Sequence, residues 1–193
     1  MWEKAQEWEA DWWGNCANTY GEETKQLLYA SRMGLQFFHN RKSPFNIDMK
    51  GASVLDVGGG PTSLLLKCVN VQGRVADPVA MPRWVCLRYA AAGIALDQVR
   101  GEELVERGWD EAWIYNVLQH TEDPGRVVAN MKRAAKLVRI FEWVDTPRNE
   151  GHPHALSREL LDGWLGGEGR QEQLSGQNTC VGTAYYGIFP TGG

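Results

Sequence analysis

The chain has 193 residues, 43% of them hydrophobic and 23% charged, which allows one domain with a sizeable core and argues against disorder or a fibrous repeat. Its net charge of −4 argues against a protein that coats duplex nucleic acid, because neutralising phosphates takes clustered Lys and Arg. Nine tryptophans are unusual; four of them (Trp2, Trp8, Trp12 and Trp13) crowd the N-terminus, so that segment must cover something.

Trp2, Ala5, Trp8 and Trp12 step at helical intervals and predict an opening helix. A second helix follows, with Thr19 and Glu22 at capping-box spacing, Leu27, Ala30 and Met33 inward, and Gly34 as its stop. Residues 37–50 read as a polar connection. Beyond Lys50 strands and helices alternate. Strand 53–57 runs into Gly58-Gly59-Gly60, then a helix over 61–69, strand 74–76, and a helix from Pro82 to about 92. Strand 94–96, a short helix over 102–107 and strand 112–116 follow. Asp123-Pro124 opens a helix to about 136, strand 137–144 follows it, and Ser157 caps a last helix stopped by Gly166. Two strands, 170–174 and 180–188, close the chain as a hairpin. Such alternation implies a parallel sheet with helices on both faces.

No apolar run is long enough to span a membrane. The N-terminus has acids where a leader would carry bases, so a cytoplasmic protein with reduced thiols is expected. Cys16, Cys68, Cys86 and Cys180 are scattered without a ligand pattern, so no metal site is expected; Cys68 and Cys86 read as small core residues.

The strongest motif is Asp56-Val57-Gly58-Gly59-Gly60-Pro61-Thr62 after a buried strand. Glycines let a ligand approach the backbone, and a helix starting there would add partial positive charge. A dinucleotide loop wants a third glycine where Ser63 stands, and Asp56 would repel a pyrophosphate while suiting an ammonium.

With these residues the region from 51 onward resembles the class I S-adenosylmethionine-dependent methyltransferases of the small-molecule type. Asp56-x-Gly58-x-Gly60 matches the family's acidic glycine loop, with Thr62 in place of its third glycine. Asp77-Pro78 falls where the family's acidic residue meets the ribose. Arg100-Gly101-Glu102-Glu103-Leu104 resembles the loop bordering the adenine, and Tyr115-Asn116-Val117-Leu118 the segment whose main chain meets the methionine moiety. The resemblance implies an α/β doubly wound, mostly parallel seven-stranded sheet of order 3-2-1-4-5-7-6 with its last strand antiparallel. It implies S-adenosylmethionine as cofactor, with Asp56, Gly58, Gly59, Gly60, Asp77, Pro78, Gly101, Glu102, Asn116 and Val117 around it. Residues 1–50 would form a helical cap on a Rossmann-like domain, 51–193, with Trp12, Trp13 and Tyr20 as a lid over the cleft.

Methyl transfer to oxygen or nitrogen needs an aligned nucleophile and sometimes a base. His120, His152 and His154, in loops at the carboxyl edge of the sheet, are the candidates; His39 reads as exposed. Trp13, Tyr20 and Glu142 are the candidate substrate contacts. No Asn/Asp-Pro-Pro-aromatic segment follows the fourth strand and no Pro-Cys pair is present, which argues against nucleobase methylation. Arg83, Arg88, Lys132, Arg133, Lys136 and Arg139 read as solvated helix faces rather than a nucleic-acid stripe. The expectation is a monomer or homodimer acting on a small-molecule, peptide or glycan acceptor, away from nucleic acid and membranes. Two other readings compete: a catalytically silent cofactor-binding protein acting through a partner, and a nicotinamide-dependent oxidoreductase.

Overall fold

The computed structural model describes residues 2–14, 16, 19–38, 46–176 and 180–192; the side chain of Tyr20 and all of His39 lie outside the described residues. Five helices are α1 (Trp2–Trp13), α2 (Thr19–Arg32), α3 (Arg83–Ala91), α4 (Pro124–Ala134) and α5 (Arg158–Leu165). The main sheet holds β1 (Ser53–Val57), β2 (Gln72–Ala76), β3 (Ala95–Asp97), β4 (Trp109–Tyr115), β5 (Ala135–Val144), β6 (Arg170–Ser175) and β7 (Val181–Pro190). Its spatial order is β3-β2-β1-β4-β5-β7-β6. The pairs from β3 to β5 are parallel, and β7 runs antiparallel to both β5 and β6. This is the doubly wound sheet expected from the sequence.

Alternation along the strands separates two cores. Leu55, Ile114, Val138 and Ile140 face α4 and α5, where Val127, Val128, Met131 and Leu161 are fully buried. Val54, Val75, Trp113, Tyr115 and Phe141 face the other way, against Tyr29 and Ala30 of α2, Met33 just after it, and Val85 and Tyr89 of α3. The helix ends follow their chemistry. Asp123 accepts from the Arg126 amide at 2.9 Å to start α4. Gly166 takes φ 76° to end α5, where Lys132 Nζ donates to the Trp164 and Leu165 carbonyls.

Several expectations need correction. Residues 61–69 form no α-helix. Two 3-10 turns, Gly60–Thr62 and Leu64–Lys67, are separated by Ser63 in an extended conformation, because Ser63 Oγ bonds Asp56 Oδ2 at 2.5 Å and pulls the backbone out of helical register. The charge attraction of a long helix N-terminus is therefore absent from this loop. The helix expected over 102–107 is only the 3-10 turn Gly101–Glu103. The connection 37–50 contains the strands Phe37–Phe38 and Asn46–Asp48, which form a small sheet with Cys68–Val69. Cys86 is exposed on α3 and Cys68 half-buried, while Cys16 and Cys180 are the buried thiols. Arg139 lies on β5 rather than on a solvated helix face. It makes a two-pronged bridge to Glu111 of β4 at 2.7 and 2.8 Å and donates to the Met33 carbonyl at 2.8 Å, tying the sheet to the end of α2.

Candidate functional site

The loops leaving β1, β2 and β4 open together at the carboxyl edge of the sheet, where open α/β sheets bind ligands. They floor a cleft of about 870 Å³, mouth included, roofed by α1.

The glycine loop is held in a shape other residues could not take. Gly58 and Gly60 have φ of 72° and 58°. A Cβ on Gly58 would come within 2.4 Å of Val117 Cγ1, and one on Gly59 within 2.7 Å of Asp56 Oδ2. The Gly60 amide donates to Asp77 Oδ2 at 2.9 Å, its carbonyl accepts from Tyr89 Oη at 2.6 Å, and the Tyr89 oxygen accepts from the Ser63 amide at 2.9 Å. Asp77 Oδ1 accepts from the Val79 amide, also at 2.9 Å. Burial raises the Asp77 carboxyl to about 6 even though these two amides favour its charge.

Asp56 departs from the expected role. It is fully buried and takes no part in the cleft wall. Its Oδ2 accepts from Ser63 Oγ and from Tyr115 Oη, both at 2.5 Å, while the Tyr115 oxygen accepts from the Leu64 amide at 3.0 Å. Burial pushes its carboxyl up to about 7. Asp56 therefore fastens the loop from beneath rather than meeting a ligand's ammonium. Glu142 is likewise no part of the cleft wall. On β5 it shares the face of Val138 and Ile140, and its Oε1 accepts from the Val117 and Leu118 amides at 3.0 and 3.1 Å. Complete burial raises it to about 8. It shapes the loop after β4 instead of touching substrate.

The other expected cofactor residues, Pro78, Gly101, Glu102, Asn116 and Val117, line the cleft with Gly58, Gly59, Gly60 and Asp77. Gly101 is tight: a Cβ there would meet Val127 at 2.9 Å, and Asn130 Nδ2 donates to the Gly101 and Glu102 carbonyls at 2.9 and 2.8 Å. Glu102 Oε1 accepts from the Glu122 and Asp123 amides, so it also orders the turn into α4. Asn116 holds the left-handed φ of 58°, a strained position that Asn tolerates, and borders both this cleft and its neighbour.

That neighbouring cleft lies between α1 and residues 143–152 and is walled by Trp8, Trp12, Trp13, Tyr29, Trp143, His120 and His152. His120 Nδ1 donates to the Gly151 carbonyl at 2.8 Å and lies 3.4 Å from Glu9 Oε2. The His152 ring meets it edge-on, with centroids 4.6 Å apart. Asn149 Oδ1 accepts from the Gly151 and His152 amides, which turns its Nδ2 to donate to His152 Nδ1 at 3.2 Å. Desolvation lowers both rings to about 4, keeping them neutral. His154 belongs elsewhere. Its Nε2 bonds the Glu122 carbonyl at 3.2 Å on a separate surface hollow beside α5, so the catalytic role expected for it finds no geometry.

Gln6 and Glu9, which the sequence did not mark, complete the roof with Trp2 and the expected lid residue Trp13. Trp2, Gln6, Glu9 and Trp13 recur every three or four positions and face the cleft, whereas Trp8 and Trp12 are 37% and 45% exposed. Trp2 lies under Arg100 at 3.9 Å, and Gln6 Nε2 donates to the His120 carbonyl at 3.3 Å. Trp13 covers Gly60 and donates its indole N–H to Glu9 Oε1 at 2.9 Å. The helical stripe was visible, but the larger face of tryptophans masked this polar-aromatic one. Tyr29 and Gln26 of α2 also line the cleft, and Gln26 Nε2 bonds Thr62 Oγ1 at 2.9 Å.

Comparison with solved structures gives many matches. One is a chain of the Haloferax volcanii complex containing the Trm112 methyltransferase activator, at TM-score 0.63 and 12% identity, covering 97% of each chain. Another is the N-methyltransferase NodS of Bradyrhizobium japonicum WM9, solved with S-adenosyl-L-homocysteine, at TM-score 0.57 and 17% identity over 96% of this chain and 92% of that one. This is the class I methyltransferase fold. The [4+2]-cyclase SpnF shares it at TM-score 0.56 and 17% identity, and the present chain spans 57% of that protein's length. The methyltransferase fold therefore serves more than one chemistry, and the site must decide the function. No family model matches the sequence, nor does any curated protein. Among the described residues no helix is long and apolar enough to cross a membrane.

Proposed function

We propose that this protein is an S-adenosylmethionine-dependent methyltransferase acting on a small acceptor. The observation that carries the reading is the junction of two clefts: the glycine loop and Asp77 floor one, aromatic rings wall the other, and Glu9, Trp13, Asn116 and His120 border both. The residues fit the cofactor. Gly58 and Gly59 pack too tightly against Val117 and Asp56 to carry a Cβ, so the loop presents bare backbone to the cleft, and Asp77, at the end of β2, offers a carboxylate to ribose hydroxyls. The main chain of Asn116 and Gly58 would border the methionine moiety, and Gly101 the adenine. When bound, S-adenosylmethionine supplies an electrophilic methyl on a sulfonium.

The protein's part is alignment, exclusion of water and proton control. α1 closes over the cleft through the Trp2–Arg100, Gln6–His120 and Trp13–Gly60 contacts, the cap role proposed for the N-terminal segment. Because the Gly151 carbonyl can only accept, His120 carries its proton on Nδ1 and keeps a lone pair on Nε2. In that tautomer Nε2 is a hydrogen-bond acceptor and, with the ring lowered to about 4, a weak general base for an acceptor in the aromatic cleft, with His152 beside it.

Calorimetry with S-adenosylmethionine, S-adenosylhomocysteine and NAD tests the reading, followed by transfer of labelled methyl to an acceptor pool. Binding of the two sulfur ligands and not NAD is expected. Failure of both to bind at millimolar concentration rejects it.

A further inference from the structure

Among the described residues, the aromatic cleft contains a carboxylate, Glu9, without a permanently charged cationic partner. Glu22, at its rim, is neutralised by Lys25 at 2.6 Å. Glu9 is different. Its side chain is 20% exposed, and among the described residues Oε1 takes the Trp13 indole N–H alone. Its one ion-pair neighbour among the described residues is His120, at 3.4 Å from Oε2, an imidazole that already donates to Gly151. A half-desolvated carboxylate is costly unless a positive charge or further donors meet it. The rings around it, Trp8, Trp13, Tyr29 and Trp143, are the kind of lining whose π faces favour an organic cation. Burial has raised Glu9 to about 7, the response of a carboxyl lacking its counter-charge.

Resting on the methyltransferase reading, we propose that the acceptor is a primary or secondary amine on an apolar body, captured as its ammonium by Glu9 with its body in the tryptophan-lined cleft. The ammonium would hand one proton to Glu9, and the freed lone pair would then take the methyl as the carbon–sulfur bond breaks and S-adenosylhomocysteine leaves. The amine would supply the missing charge, and the rings would take the hydrocarbon. An alcohol could donate a hydrogen bond to Glu9 but would leave its charge uncompensated, and a carboxylate would face it with like charge.

Three probes of matched shape separate these cases: 2-phenylethylamine, 2-phenylethanol and 3-phenylpropanoate. Each is titrated into the full-length protein, with and without saturating S-adenosylhomocysteine, and read by quenching of tryptophan fluorescence and by calorimetry. The amine should bind at least ten-fold more tightly than the alcohol or the carboxylate. Glu9→Gln, which keeps the shape and removes the charge, should abolish that preference and leave alcohol binding unchanged. Equal affinity for amine and alcohol, a preference that survives Glu9→Gln, or no binding of any probe to protein that does bind S-adenosylhomocysteine would each overturn the inference. Failure of S-adenosylhomocysteine to bind counts against the cofactor reading instead, and the titrations without it still decide the amine site.

Discussion

His120 donates its Nδ1 proton to the Gly151 carbonyl at 2.8 Å, and that bond fixes which ring nitrogen keeps a lone pair. Gly151 is itself held in place: its amide bonds Asn149 Oδ1 at 3.0 Å, and a Cβ on it would strike Trp8 at 2.8 Å. The His120 imidazole is thus oriented jointly by α1 and the loop after β5. His120→Ala should retain S-adenosylhomocysteine binding by calorimetry while turnover falls by roughly 10²–10⁴, the usual contribution of a positioned base. An NMR titration should place the His120 ring near 4, lowered by burial, rather than at its ordinary 6.5. His154→Ala, on the separate hollow beside α5, should keep near wild-type turnover.

The glycine loop offers a cleaner separation of strain from collision. Gly58 and Gly93 have nearly equal φ, 72° and 70°, but a Cβ meets Val117 Cγ1 at 2.4 Å in the first case and nothing within 4 Å in the second. Both Ala variants pay for a left-handed backbone, about 1–3 kcal/mol. Only Gly58→Ala should also displace the Val117 loop and weaken S-adenosylhomocysteine more than ten-fold. Denaturation midpoints and calorimetry on the pair check this.

The roof can be tested at one residue. Trp13 covers Gly60 and holds Glu9 Oε1, so Trp13→Phe should keep the cover and lose the bond, while Trp13→Ala loses both. Cofactor affinity should fall for the alanine variant and stay close to wild type for the phenylalanine variant. Equal losses would place the contribution in the hydrogen bond rather than in the covering of the loop.

The sheet was legible in the sequence because its signals are local. Ser53–Val57, Asp123-Pro124, Ser157 and Gly166 each carry their own strand or cap chemistry. The failures were long-range. Ser63 leaves helical geometry for a bond to Asp56, and Asp56 turns away from the cleft because Tyr115, two strand positions from the buried Trp113, reaches it from β4. Glu142 and Val117 are 25 positions apart in the chain and meet only across the sheet edge. Glu9 required knowing which face of α1 the sheet would cover. Side chains that hold other parts of the chain look, in sequence, like side chains that hold ligands.

Those buried carboxyls set the pH dependence of stability. Glu9 and Asp56 are raised to about 7, Asp77 to about 6 and Glu142 to about 8, in each case mainly by burial. A group whose folded value lies above its unfolded one holds its proton longer in the folded state, so its contribution is full below the unfolded value and is lost as pH rises through the folded one. His120 and His152, lowered from 6.5 to about 4, act oppositely, with stability lost as pH falls from 6.5 toward 4. The two sets oppose each other below pH 6.5. Above it the histidines are neutral in both states, and the carboxyls alone act. Unfolding free energy should therefore decline between pH 6.5 and 8, each group contributing up to about 1.4 kcal/mol per pH unit while it titrates. Glu142→Gln keeps an acceptor for the Val117 and Leu118 amides and removes the titration, so its curve should fall less steeply between pH 7 and 8 in urea denaturation. An unchanged slope in that variant would mean that Glu142 is ionised in the folded protein at neutral pH.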